Sequence, residues 1–122
     1  DAAEGIEAIL ATCRSKVPNA TIVLMAILPR NDSEAANKAV KEANGMIAKL
    51  ADGKHVRFLN INDQLADKDG ILLSGVSVDD LHLSLKGYKI WAKNLQPVLT
   101  ELLGERVIED YAPAPTGDIS VK

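Results

Sequence analysis

Residues 20–28 read Ala-Thr-Ile-Val-Leu-Met-Ala-Ile-Leu, a short and almost wholly apolar run that decides the fold class. A strand that is apolar at nearly every position needs cover on both faces, which is typical of a central strand in a parallel sheet. Pro29 follows at once and ends the run, because proline has no backbone N–H to donate. The stretch therefore predicts a buried parallel strand with helices on either side.

Amphipathic patterns flank this strand. Before it, residues 3–16 carry apolar side chains at helical spacing, and Cys13 is expected to be a buried free thiol on that apolar face. After it, Ser33 supplies a capping oxygen and residues 34–50 repeat apolar positions with the period of a helix. Residues 56–61 predict a second, shorter strand. The order helix, strand, helix, strand predicts a right-handed parallel α/β crossover.

A long polar connection at residues 62–78 is predicted to lead into the stretch with the most chemistry, Val-Asp-Asp-Leu-His-Leu-Ser-Leu-Lys-Gly-Tyr at residues 78–88. Asp79 lies three residues before His82, and a carboxylate beside an imidazole fixes the ring tautomer and stabilises the imidazolium. Sites in parallel α/β sheets lie at the carboxyl ends of strands, and this stretch follows the second strand. Asp79 and His82 are therefore a candidate catalytic pair, although their spacing alone favours a purely structural role. The structural alternative is a solvated turn in which Asp79 caps the following backbone.

A last helix is predicted to start at Ser84 or Leu85, to bend at Pro97 and to end before Gly104. The side chains expected to be buried are Tyr88, Trp91, Ala92, Leu95, Leu99, Leu102 and Leu103. Only two strands are visible, and a two-stranded parallel sheet would leave an open edge and uncovered apolar surface. Either another chain completes the sheet or this surface drives homo-oligomer formation.

The pattern Asp79-x-x-His82-Leu-x-x-x-Gly-Tyr resembles the last conserved block of the SGNH (GDSL-type) esterases and lipases. The run Ile-Leu-Pro-Arg at residues 27–30, with the helix behind it, resembles the platelet-activating-factor acetylhydrolase branch of that family. The resemblance extends over residues 3–104. It implies the SGNH hydrolase fold, a three-layer flavodoxin-like α/β arrangement whose parallel sheet is covered by helices on both faces. The family pattern also implies that Asp79, and not Asp80, is the orienting acid.

The family's Gly-Asp-Ser nucleophile block, its oxyanion glycine and its Gly-x-Asn-Asp block are absent from the chain. Residues 1–104 are therefore expected to be the C-terminal half of an SGNH hydrolase domain, and residues 105–122 an extended tail. The resemblance implies an ester hydrolase that works by serine acyl transfer on small acyl esters, acetyl esters of lipid or carbohydrate among them. An N-terminal segment carrying the serine is the implied partner, and no cofactor is implied. The alternative is a non-catalytic α/β module that pairs with a partner through the open sheet edge.

No serine of the chain stands in a nucleophile motif. Ser33 and Ser84 are explained as helix caps, while Ser74 and Ser77 are predicted loop residues. Leu81 and Leu83 flank the histidine and are candidates for an acyl pocket. A metal site built on Asp79, Asp80 and His82 would need a further ligand, and His55 is expected to lie on the surface.

Composition excludes several other classes of partner. The net charge of -3 argues against nucleic acid or an anionic membrane, and an aromatic content of 3% argues against platforms for base stacking. No apolar run is long enough to predict a transmembrane segment. A single cysteine excludes an internal disulfide and leaves the redox compartment undecided.

Overall fold

A computed structural model describes residues 2–105 and residue 107. In chain order the elements are α1 (Ala2–Lys16), β1 (Ile22–Met25), α2 (Glu34–Ile47) with a 3-10 turn at Ala48–Leu50, β2 (Val56–Leu59), α3 (Asn62–Leu65) and α4 (Leu85–Leu103). All the predicted helices and strands are present, and α3 is an addition. The predicted tail at residues 105–122 lies outside the described residues, apart from residues 105 and 107.

The two strands form a parallel pair, as predicted. Ile22 lies opposite Val56 and Met25 lies opposite Leu59. α2 connects them, which makes this a βαβ crossover. The sheet has the order β1-β2, so within the described part of the chain each strand has one unpaired edge.

β1 covers four of the nine residues predicted, and just after its C-terminal end a side chain takes the place of a neighbouring strand. The amide of Asn44 on α2 accepts a hydrogen bond from the Ile27 N–H and donates one to the Ile27 carbonyl, both at 2.8 Å. The Asn62 side chain donates to the same carbonyl at 2.9 Å. Asn44 is buried at 8% exposure, and these bonds satisfy its polar atoms. The chain leaving β1 is thus fixed by α2 and by the start of α3.

Helices cover both faces of the sheet. On one face, Leu59 packs in the same cluster as Trp91 of α4, and Arg57 forms an ion pair with Glu101 of α4 at 2.8 Å. On the other face, Phe58 lines a groove together with α2. Because neighbouring strand residues point to opposite faces, α2 and α4 lie on opposite sides of the sheet.

Much of the centre of the core lies in the segment that was predicted to be a polar connection: Leu65 and Val76 belong to that segment, whereas Ile61 is the last residue of the predicted second strand. The segment connects β2 to α4 as predicted, but it is not polar throughout. Ile61, Leu65 and Val76 are at most 2% exposed, and they form the buried cluster against which β1, β2 and α4 pack. Single apolar residues at irregular spacing carry this core, so neither the helical nor the strand period could reveal it. The loop before the predicted site is therefore firmly anchored.

α4 begins and ends as predicted, but most of its apolar side chains are not buried. The Ser84 hydroxyl accepts the Gly87 N–H at 3.2 Å and caps the helix. Gly87 is the helix's buried residue, whereas Tyr88 is 53% and Leu103 80% exposed. Trp91 and Leu95 are half-buried. The described residues place no layer against this side of the helix, which explains the difference. Cys13, likewise expected to be buried, is a half-buried free thiol.

Candidate active site

The structure brings together the two predicted site residues. Asp79 Oδ2 lies 2.7 Å from His82 Nδ1. The other carboxylate oxygen, Oδ1, accepts the backbone N–H groups of Leu81 at 3.1 Å and His82 at 2.7 Å. One carboxylate therefore organises the turn and holds the imidazole at the same time, so the capping role and the orienting role are not alternatives.

The protonation of the pair follows from these bonds. The backbone N–H of His82, together with its imidazole and the N–H of Leu81, lowers the pKa of Asp79 to about 2. An ionised carboxylate can only accept hydrogen bonds, so Nδ1 carries the proton and Nε2 of the neutral ring has a free lone pair. The His82 side chain is 72% exposed, and Nε2 has no hydrogen-bond partner within the described part of the chain. It is available to take a proton from a hydroxyl group.

Asp80, the competing acid, points elsewhere. Its carboxylate forms no hydrogen bond or ion pair with the residues that the structure describes. Its carbonyl oxygen accepts the backbone N–H of Asn31, from the loop after β1, at 2.8 Å. The geometry thus pairs His82 with Asp79 and leaves Asp80 exposed, in agreement with the family pattern.

The chain contains a second Asp-x-x-His, Asp52 to His55, which shows why spacing alone is a weak signal. His55 Nδ1 lies 3.7 Å from Asp52 Oδ2, too far for a hydrogen bond. Asp52 instead pairs with Arg14 at 2.7 Å and accepts three backbone N–H groups. The motif precedes β2, at the opposite end of the strand from the predicted site. His55 is a surface residue, 48% exposed, although it was not expected to have an acidic neighbour.

Ser77 closes the turn around the histidine, a role that the sequence analysis missed. Its hydroxyl donates to the His82 carbonyl at 2.8 Å and accepts the Asp79 N–H at 3.3 Å. The Val78 N–H reaches the same carbonyl at 3.1 Å. A hydroxyl residue two positions before an aspartate is a turn signal that was available in the sequence. Both ends of the Asp79–His82 segment are therefore held by hydrogen bonds.

The apolar residues near His82 in the chain differ in how much of their surface is exposed. Leu83 is half-buried and packs against the buried core cluster, and its role in an acyl pocket stays a prediction. Leu81 is 40% and Val78 71% exposed. Apolar surface near His82 therefore comes from the residues before it in the chain.

A groove among the described residues lies away from this pair. It has a volume of about 1040 Å³ and lies between α2 and the chain that follows β2. Pro29, Phe58, Ala66 and Ile71 are among its apolar lining, and neither Asp79 nor His82 reaches it. Among the described residues, no three potential metal ligands of the His, Cys, Asp or Glu type lie together, and no helix is both long and apolar enough to cross a membrane.

The low pKa of Asp79 can be checked directly. In an NMR titration of the Asp79 carboxyl carbon we expect a midpoint near 2, well below the reference value of 3.8. Because the charged form is favoured in the folded chain, this carboxylate stabilises the fold above about pH 4, and the contribution is lost as the pH falls towards 2. The variant His82→Gln removes the ring but keeps the backbone N–H, so its midpoint should rise only part of the way. A midpoint of 3.8 in the unsubstituted chain would contradict the geometry.

The parallel strands with helices on both faces place the chain in the α/β class, and the carboxylate–imidazole pair follows the second strand. Residues 1–90 match the sequence model of the GDSL-like Lipase/Acylhydrolase family. The chain belongs to this family, and the resemblance to the SGNH fold and to its platelet-activating-factor acetylhydrolase branch is confirmed.

Two curated relatives and one solved structure show how much of the family's length is present. The chain is 30% identical over 115 residues to platelet-activating factor acetylhydrolase IB subunit alpha1 of Bos taurus, covering 91% of this chain and 49% of that protein. It is 28% identical over 107 residues to subunit alpha2 of Rattus norvegicus, covering 86% and 47%. A solved chain from Streptococcus pneumonia, described as a platelet activating factor, superimposes with a TM-score of 0.70 at 30% identity, covering 80% of this chain and 50% of that one. The chain spans about half the length of the relatives it matches.

Proposed function

We propose that the complete protein is an esterase that works by serine acyl transfer, with His82 as general base and Asp79 as the acid that orients it. The observation that carries the proposal is the 2.7 Å contact between Asp79 Oδ2 and His82 Nδ1, which leaves Nε2 unpaired among the described residues. Membership of an acylhydrolase family supports the same chemistry. No cofactor takes part in this scheme.

Each step of the reaction uses one of these contacts. His82 Nε2 takes the proton of the serine hydroxyl as its oxygen attacks the ester carbonyl, and the Asp79 carboxylate stabilises the imidazolium. The imidazolium then gives its proton to the departing alkoxide, which leaves an acyl-serine. A water molecule, deprotonated by the same nitrogen, releases the acid and restores the serine. Donors for the carbonyl oxygen belong to the proposed N-terminal segment.

The serine is proposed to come from that segment, with residues 1–104 forming the C-terminal half of the domain. The nucleophile block is absent from this chain, which matches about half the length of its relatives. The unpaired edge of β1 and the exposed apolar side of α4 offer a strand edge and a helix face for the segment to cover. The uncovered surface is also what a homo-oligomer would need.

The substrate class is proposed to be small acyl esters, acetyl esters of lipid or carbohydrate among them. The curated relatives are named acetylhydrolases. The loop holding His82 is largely exposed, and Leu81 presents apolar surface beside it in the chain. A short acyl group needs only a small apolar contact of this kind.

A covalent probe tests the proposal. A fluorophosphonate, which reacts with activated serines, should label the longer protein at one serine outside residues 1–122, and that protein should hydrolyse p-nitrophenyl acetate. This chain alone and heat-denatured longer protein should both remain unlabelled. If the folded longer protein shows neither labelling nor hydrolysis, the esterase proposal fails. The chain would then be better described as a non-catalytic module that pairs through its open sheet edge.

A further inference from the structure

The turn that holds the acid–imidazole pair contains an unusual backbone conformation. Asp80 has a φ of 66°, and it is the non-glycine residue with positive φ in the described part of the chain. Residues with a Cβ rarely occupy this left-handed region, although aspartate and asparagine tolerate it better than most. The free carboxylate of Asp80 has no part in the proposed reaction, so its backbone needs a separate explanation.

We propose that Asp80 and Asn31 are positioning residues, which act through the left-handed Asp80 backbone to keep the His82 ring on Asp79. The inference rests on the proposed function for its effect on catalysis. Its structural part, the orientation of the pair, can be measured independently of any reaction.

The left-handed residue lets one carboxylate accept two successive backbone donors. Asp79 Oδ1 binds the N–H groups of Leu81 and His82, which come directly after Asp80. At the same residue the chain directs the Asp80 carbonyl away from the pair and towards the Asn31 N–H, 2.8 Å away. A right-handed Asp80 would change the direction of the following N–H groups. Both the turn and the Oδ2–Nδ1 contact depend on this one residue.

Asn31 connects the turn to the core. Its side-chain oxygen accepts the Leu72 N–H at 3.1 Å, and Leu72 packs against the buried cluster. Asn31 thereby connects the loop after β1 to the core segment through its side chain and to Asp80 through its backbone N–H. The neighbouring Asp32, paired with Arg30, is close enough to Asp79 for the two negative charges to interact. Uncharged substitutions at position 31 are therefore the informative ones.

The first experiment measures the geometry in this chain. Asp80→Gly and Asp80→Asn can adopt the left-handed conformation, whereas Asp80→Val cannot do so without strain. We expect the glycine and asparagine variants to keep the low NMR titration midpoint of Asp79. The valine variant, and to a smaller extent Asn31→Ala, should raise that midpoint towards 3.8. If the valine variant unfolds, Asp80→Ala serves as a milder replacement for the same measurement.

Two results would overturn the proposal. An unchanged Asp79 midpoint in the folded valine or alanine variant would show that the left-handed backbone does not orient the pair. A midpoint raised equally by Asp80→Gly would show that the carboxylate of Asp80, and not its backbone, is responsible. Neither result depends on whether the protein is an esterase.

The second experiment uses the longer, active protein. Asp80→Val should lower kcat for p-nitrophenyl acetate by about 10-fold or more with little change in KM, because misplacing a catalytic group slows the chemical step. Asp80→Gly should stay within about twofold of the parent enzyme, since its backbone is compatible with the same turn. If the midpoints shift as expected but the longer protein has no esterase activity, the positioning role stands and the proposed function fails.

Discussion

Replacing His82 with alanine in the longer protein is expected to lower kcat for p-nitrophenyl acetate by at least about 10⁴-fold, because the substitution removes the proposed general base. Asp79→Asn should lower kcat by on the order of 10³- to 10⁴-fold, because an asparagine amide can favour the wrong tautomer of the His82 ring. Steady-state kinetics with protein of verified fold measures both effects. The unfolding midpoint of His82→Ala should remain close to that of the parent, because the ring is 72% exposed.

The chain supplies its own matched control for this prediction. Asp52 and His55 have the same spacing as Asp79 and His82, but their side chains are 3.7 Å apart and lie at the other end of β2. His55→Ala should therefore leave kcat within about twofold of the parent, as expected for a surface residue away from the reacting atoms. Near-parental activity of His82→Ala, or an equal loss in the two alanine variants, would contradict the assignment of the base.

Replacing Gly87 with alanine is expected to destabilise the fold by about 2–3 kcal/mol. A Cβ at this position would lie 2.5 Å from the backbone oxygen of Val76 and 2.9 Å from Leu83 Cδ2. The backbone oxygen cannot move aside alone, because the Val76 carbonyl also accepts the Ser84 N–H that seats the helix. The start of α4 would have to shift away from the core. Chemical denaturation of the parent and the variant measures the difference.

The same substitution at Gly45 is expected to have the opposite effect on stability. It lies within α2, and a Cβ added there meets no atom within 4 Å. Gly45→Ala should therefore stabilise the protein by about 1 kcal/mol, the usual gain in helix propensity. Comparing the two substitutions tests whether the close approach of Val76 and Leu83, and not the helix itself, requires glycine at position 87. Equal effects of the two substitutions would contradict this explanation.

Local patterns predicted most of the elements correctly, because a single period or cap carried each of them. The apolar run around β1, the Ser33 and Ser84 caps and the end of α4 before Gly104 are all present. The choice of Asp79 over Asp80 came from the family pattern and agrees with the contacts, but the catalytic role of the pair remains a prediction. Spacing alone could not have separated it from the similar pair Asp52 and His55.

Features that depend on distant parts of the chain were missed. Ile61, Leu65 and Val76 form the core, although no periodic pattern joins them. The amide of Asn44 ends β1 by pairing with Ile27 from another element, which no inspection of the strand itself could reveal. The burial predicted for α4 requires a covering layer that the described residues do not include. These three features depend on tertiary contacts, whereas the role of Ser77 depends on a local turn.

The same uncovered surfaces govern how the chain behaves in solution. An unpaired strand edge beside exposed leucines is a template on which copies of one polypeptide add to each other. If the proposed N-terminal segment is what covers these surfaces, its binding adds to the free energy of unfolding that this chain has alone. Thermal midpoints of the isolated chain would then shift with protein concentration, whereas those of the joined protein would not.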